Sequence, residues 1–176
     1  MHIPTHMLAG WVVGNAFGLG KRERSLAILA GMLHDVDGLG IIVSEELYWD
    51  WHHKLGHNLF FCVALAGLLT IFSRQRMRSF TAYTVIAGSH LLLDFLGSGP
   101  NWTLAWLWPV SGHELEFAYA WPFFSWQNLG SAGLLIVATV WTAWRHDRTP
   151  VEWITPDLDR RLVAGLRRRS KAGRPV

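Results

Sequence analysis

The chain has 176 residues, about one domain's worth, of which 51% are hydrophobic and only 16% charged, against ~25% charged in ordinary globular chains. Eleven Trp and 17 Gly complete a composition that points to a membrane or its interface and excludes disorder and a disulfide-stapled scaffold. The net charge of +3 is small, and the single Cys62 has no partner for an internal disulfide, so cysteine usage leaves the redox compartment open.

Five apolar stretches follow one another at residues 7–20, 25–33, 59–72, 80–97 and 129–144. None is a clean apolar run of ~20 residues, the length of a simple spanning helix, but each continues into polar residues at one end. Their length and lack of period-2 alternation predict helices. Residues 1–6 carry no basic segment, so the first stretch does not read as a cleaved signal peptide. The expected fold is all-α, an integral membrane bundle of about five helices, with residues 1–148 as the embedded domain and 149–176 as a basic cytoplasmic tail.

Charge separates the connections. Fifteen of the 16 Lys and Arg fall between the first and second stretches, between the third and fourth, or after the fifth. The other connections, with the N-terminal residues, hold only Lys54, while eight carboxylates fall at that same face, in these connections or at the end of the fourth stretch: Asp35, Asp37, Glu45, Glu46, Asp50, Asp94, Glu114 and Glu116. By the positive-inside rule the N-terminus then lies outside and the C-terminus in the cytoplasm of a multi-pass protein. Eight of the nine His, all but His146, share the acidic side, as do Trp49, Trp51, Trp102, Trp106, Trp108, Trp121 and Trp126.

The residues that can carry chemistry collect there too. His6 opens the first helix, His34-Asp35-Val36-Asp37 ends the second, His52-His53-Lys54-Leu55-Gly56-His57-Asn58 precedes the third, and His90 and Asp94 share a face of the fourth. His113-Glu114 follows in the next connection. Imidazole and carboxylate without competing thiolate suit Zn²⁺, Mn²⁺ or Fe²⁺. Each piece has a plainer reading: an Asx turn for Asp37, interfacial side chains for His52, His53 and His57. It is weakest for His90 and Asp94, because ionisable groups inside an apolar helix are costly unless paired.

In order and spacing, His6, His34-Asp35-Val36-Asp37, His52-x4-His57-Asn58, His90-x3-Asp94 and Leu107-Trp108-Pro109 resemble the YdjM-like family, grouped as membrane-bound metal-dependent hydrolases. The resemblance covers residues 1–110. It implies that His6, Asp35, His57, His90 and Asp94 bind one or two divalent ions, zinc first and Mn or Fe as alternatives, with Asp37 and His52 close by. His34 stands where that family usually has Pro and is counted with the ligands, while His53 replaces Arg and Asn58 replaces Ser. The family is itself distantly similar to zinc-dependent phospholipases C and single-strand nucleases. That likeness implies a bacterial inner-membrane hydrolase of phosphoesters, lipid headgroups among them. Expected catalytic groups are Asp37 or Glu114 as base or water-orienting carboxylate, and His52 or His53 on the oxyanion or leaving group. The competing readings are a non-enzymatic membrane protein with a structural metal or polar network, and a tethered binding protein acting through its Arg-rich tail. For that tail, anionic lipid is a better partner than nucleic acid.

Overall fold

Local sequence sets the helix starts. Pro4 occupies the first turn of α1 (Ile3–Ala16), where its missing N–H costs nothing. Asn58 caps α4 (Leu59–Ile71), its Oδ1 accepting from the Phe61 amide at 2.8 Å. Ser44 caps α3 (Glu45–Trp51) and Ser125 caps α6 (Trp126–His146) in the same way. With α2 (Lys21–Met32), α5 (Arg76–Gly97) and α7 (Pro156–Ala172), these make seven α-helices. Two 3-10 segments, Leu33–Ile42 and Pro150–Trp153, extend α2 and lead into α7. The computed structural model describes residues 1–52 and 54–172, with side chains as far as 168; the expected catalytic His53 lies outside them. No strand occurs among the described residues, so the expected all-α class holds.

Five helices match the five apolar stretches, while α3 and α7 were not foreseen as separate elements. α1, α2, α4, α5 and α6 pack together and alternate in direction. Their core is Leu19, Ala27, Ala30, Leu65, Ala66, Leu69, Ala82, Tyr83 and Ile86. α1 and α2 cross through small residues: a methyl at Gly10 would run into the Ala27 carbonyl, and one at Gly31 into that of His6. Such small-residue seams let two backbones approach closely. The crossing places His6 over the C-terminal end of α2. Gly10→Ala is therefore expected to cost about 1–3 kcal/mol by overpacking, read as a lower unfolding temperature in detergent; an unchanged temperature would contradict this seam.

Two segments, Lys21–Ile42 and Arg76–Gly97, are long and apolar enough to cross a membrane. α4, with 13 residues, covers only ~20 Å at 1.5 Å per residue, short of a ~30 Å hydrocarbon core. Much of the exterior is nevertheless apolar: Phe60, Val63, Leu68 and Ile71 on α4, and Leu134, Ile136, Val137, Val140 and Trp141 on α6, are all exposed. Outward apolar surface of this extent suits contact with lipid.

The three basic connections meet at one end of the bundle. Arg24 forms a buried, two-pronged ion pair with Glu152 (2.6 and 2.7 Å), Arg148 Nε donates to Asn15 Oδ1 at 2.8 Å, and the Arg74 amide donates to Glu23 at 3.0 Å. Asp159 accepts from the amide and hydroxyl of Thr149. The basic tail is thus docked onto the bundle where it begins.

Candidate metal centre

The opposite end holds the acidic and imidazole groups. The 3-10 turn after α2 presents His34, Asp35 and Asp37, α5 presents His90 and Asp94 one turn apart, and α1 brings His6. The loop before α4 supplies His57. Asn58 holds this loop as well as capping the helix, since its Nδ2 donates to the Lys54 and Leu55 carbonyls. Asn and Ser cap helices about equally well, so Asn58 in place of Ser is compatible with a capped α4. Gly56 permits the loop to lie against α2, because a Cβ there would strike the His34 carbonyl.

Four donor atoms converge. His57 Nε2 and His90 Nε2 are 3.1 Å apart, and Asp94 Oδ2 lies 3.3 and 3.0 Å from them. Asp35 Oδ1 is 3.7 Å from both nitrogens, and all four atoms fall within 4.8 Å of one another. A tetrahedral shell with bonds of 2.0–2.1 Å has edges of about 3.3–3.4 Å, so the spacing fits one small divalent ion.

Tautomer logic strengthens that fit. His90 Nδ1 donates to the Gly31 carbonyl at 2.8 Å, and His57 Nδ1 donates to Asp37 Oδ2 at 2.8 Å. A carbonyl and a carboxylate only accept, so both protons are fixed on Nδ1 and each neutral ring turns a lone pair inward from Nε2. Two imidazole lone pairs facing two carboxylates need positive charge among them. Burial pulls the His57 pKa down, but its bonds to Asp37 and Asp94 outweigh this and hold it up at about 9. A proton on His57 fills that role without a cation, and a divalent ion replaces it. The donor set is two imidazoles and two carboxylates, the borderline-to-hard mix suited to zinc or manganese.

Around these four, the other expected residues take different places. His6 Nε2 lies 3.2 Å from the second oxygen of Asp94, and its ring packs on His90 at 3.8 Å. His6 therefore reaches a ligand's far side, outside the group of four. His34 donates from Nδ1 to the Gly56 carbonyl at 2.6 Å and stacks on His90 at 4.5 Å, so it also stays outside and ties the loop to α2. Asp37 joins His52 and His57: Oδ1 accepts from His52 Nδ1 and Oδ2 from His57 Nδ1, both at 2.8 Å, with the Gly56 amide adding a third bond. This trio also offers three donor atoms at metal spacing, but 2.8 Å between N–H and O is ordinary hydrogen bonding. Glu114 is bound to Thr103 and Lys54 in an exposed loop, where these bonds, Thr103 first, lower its carboxyl pKa. His113 is exposed in the same loop.

A cleft of about 640 Å³ opens onto Asp35 and Asp94, walled by Tyr48, His52, Trp102 and Phe123 among others. The Met1 amino group sits on Asp94 Oδ1 at its floor. Sequence reading alone did not single out the Gly31 and Gly56 carbonyls, which orient His90 and His34. Backbone acceptors leave no residue-type signal; only the glycines hinted at close approach.

No curated protein and no solved structure matches the chain. Residues 1–159 match the family model described as YdjM inner membrane protein, which runs past residue 110 through α6 to the docked start of the tail. The elements that carry the resemblance supply all four converging donors, and the match spans most of the chain: it belongs to the YdjM inner membrane protein family.

Proposed function

We propose that the chain is a membrane-embedded, metal-dependent hydrolase with its centre at the mouth of the cleft. The observation that carries this is the meeting of four converging donors with an open approach. Asp35 is 15% exposed in its side chain and lines the cleft, whereas a structural metal site is closed on all sides. That opening favours an enzyme over a polar network that only locks helices.

A divalent ion held by Asp35, His57, His90 and Asp94 would supply Lewis acidity and bring the pKa of water toward ~7. The chain's own residues do the rest. Asp37 fixes the ring of His57 and aims His52, the second-tier arrangement that orients metal-bound imidazoles. His52 lines the cleft with its Nδ1 proton on Asp37 and is placed to pass a proton to a leaving group. His6 steadies Asp94 from its far oxygen, and Glu114 belongs to the rim. The aromatic wall of Tyr48, Trp102 and Phe123 suits an amphiphile that arrives from the bilayer. The bond we propose for cleavage is a phosphoester, the expectation raised by the resemblance of the sequence motifs.

Hydrolysis of a chromogenic phosphodiester and of a labelled phospholipid by zinc-loaded protein tests this reading. Turnover is expected in one of them and is lost in Asp35→Ala; turnover that survives Asp35→Ala and Asp94→Asn would refute it. Zinc uptake by the cation-free protein at pH 7 is further expected to release about one proton from His57, measured by calorimetry in two buffers of different ionisation enthalpy. Affinity then tightens with rising pH until about 9. Uptake with no proton release would contradict the placement of His57.

We also propose that the metal end faces outward and the basic end the cytoplasm, a reading that the charge segregation supports. Cys at the exposed position 50 is expected to react with an impermeant thiol reagent in whole cells, and Cys at the exposed position 75 to stay unlabelled. The reverse pattern would invert the topology.

A further inference from the structure

The basic end carries a feature that neither the metal centre nor the helix packing uses. α7 divides around its circumference. Asp159 and Val163 are buried against the bundle, Leu158 and Leu162 are exposed beside them, and Arg160, Arg161, Arg167 and Arg168 fill the remaining face. Arg160 pairs with Asp157 and Arg167 with Asp147. Arg161 and Arg168 have no acidic partner among the described residues.

Between α6 and α7 runs a groove of about 400 Å³ floored by Val140, Ala143, Leu162 and Leu166, with Arg161 at its edge. Gly165 lines it with open space beside its Cα, where an added Cβ would meet nothing within 4 Å. The Thr139 hydroxyl in its wall is buried and has no hydrogen-bond partner. Arg161 also lines a separate hollow with Arg160 and Arg168. One guanidinium thus joins an apolar trough to a cationic hollow, on a helix that leaves Leu158 and Leu162 exposed.

We propose that this groove holds one anionic phospholipid, with an acyl chain along the α6–α7 trough and the phosphodiester on Arg161 and Arg168. Guanidinium suits a phosphate oxygen pair, and an acyl chain matches a trough whose lining, Thr139, Thr149 and Arg161 at its edge apart, is apolar. The inference concerns the opposite end from the metal centre and stands whether or not the chain is a hydrolase.

Native mass spectrometry of the full-length protein in detergent, titrated with phosphatidylglycerol or phosphatidylcholine, tests it. One phosphatidylglycerol is expected to be retained in preference to phosphatidylcholine. Each basic residue at a lipid surface contributes about fivefold, so Arg161→Gln with Arg168→Gln is expected to weaken retention about 30-fold. Gly165→Phe fills the trough and is expected to abolish retention while both arginines remain. Equal retention of the two lipids overturns the proposal, as does wild-type retention by either variant. Salt-sensitive capture of DNA in place of phosphatidylglycerol overturns it too, in favour of nucleic acid.

Discussion

Asp94→Asn is expected to leave a folded protein whose metal affinity has fallen at least about 100-fold. Outer-shell partners of a metal site typically cost 10–100-fold when removed, and Asp94 does more than an outer-shell partner. Its Oδ2 is one of the four converging atoms, while Oδ1 takes His6 and the Met1 amino group. A carboxamide preserves the shape but removes the charge, and it places either a neutral oxygen or an N–H toward the two imidazole lone pairs. The side chain is buried beside two imidazoles, so no water can substitute for the lost charge at low cost. Competition with a chromogenic chelator gives the affinity directly. Metal held as tightly as in wild type would remove Asp94 from the ligand set.

Asp37→Asn is expected to lower metal affinity 10–100-fold although Asp37 is not one of the four donors. A carboxylate accepts from His52, His57 and the Gly56 amide at once. An amide in its place must turn an N–H toward one of those three donors. Facing His57, that N–H favours the tautomer whose proton is on Nε2, among the ligand atoms, where a cation has to displace it. The signature of a positioning role is therefore a fall in affinity with little change in unfolding temperature. A large drop in that temperature at unchanged affinity would instead make Asp37 a purely structural tie.

Much of this architecture was readable from residue patterns because the physics behind them is local. Apolar stretches of helical length became α1, α2, α4, α5 and α6, and a His and an Asp one turn apart had to share a face of α5. Segregated charge anticipated that the three basic connections would meet, which the Arg24–Glu152 and Arg148–Asn15 contacts realise. Other parts depend on packing that no local pattern records. The tail read only as a basic appendage from residue 149 because its composition is polar and Arg-rich, and nothing in that pattern announced that buried Glu152 fixes its start. Five stretches suggested five crossings, but among the described residues two segments meet the length and composition for one.

The candidate site divides in the same way. The resemblance singled out His57, His90, Asp35 and Asp94, together with His6, as a ligand set, and the structure brings one donor atom from each of the first four within metal-binding distance of the others. His6 and His34 belong to the same residue class and the same depth, and only geometry separates them from the four. Glu114 had the right chemistry but sits in a loop that binds Lys54 and Thr103 instead.

Metal content decides the central claim most directly. Wild type and His90→Ala, purified in detergent without exposure to chelator, can be compared by inductively coupled plasma mass spectrometry. About one equivalent of a divalent transition metal in wild type, lost in His90→Ala, is the predicted result, because His90 Nε2 lies 3.1 Å from His57 Nε2 and 3.0 Å from Asp94 Oδ2, among the four donors. No metal in either protein, even after dialysis against zinc and manganese, would contradict the account and leave the cluster as a proton-bridged network that packs helices.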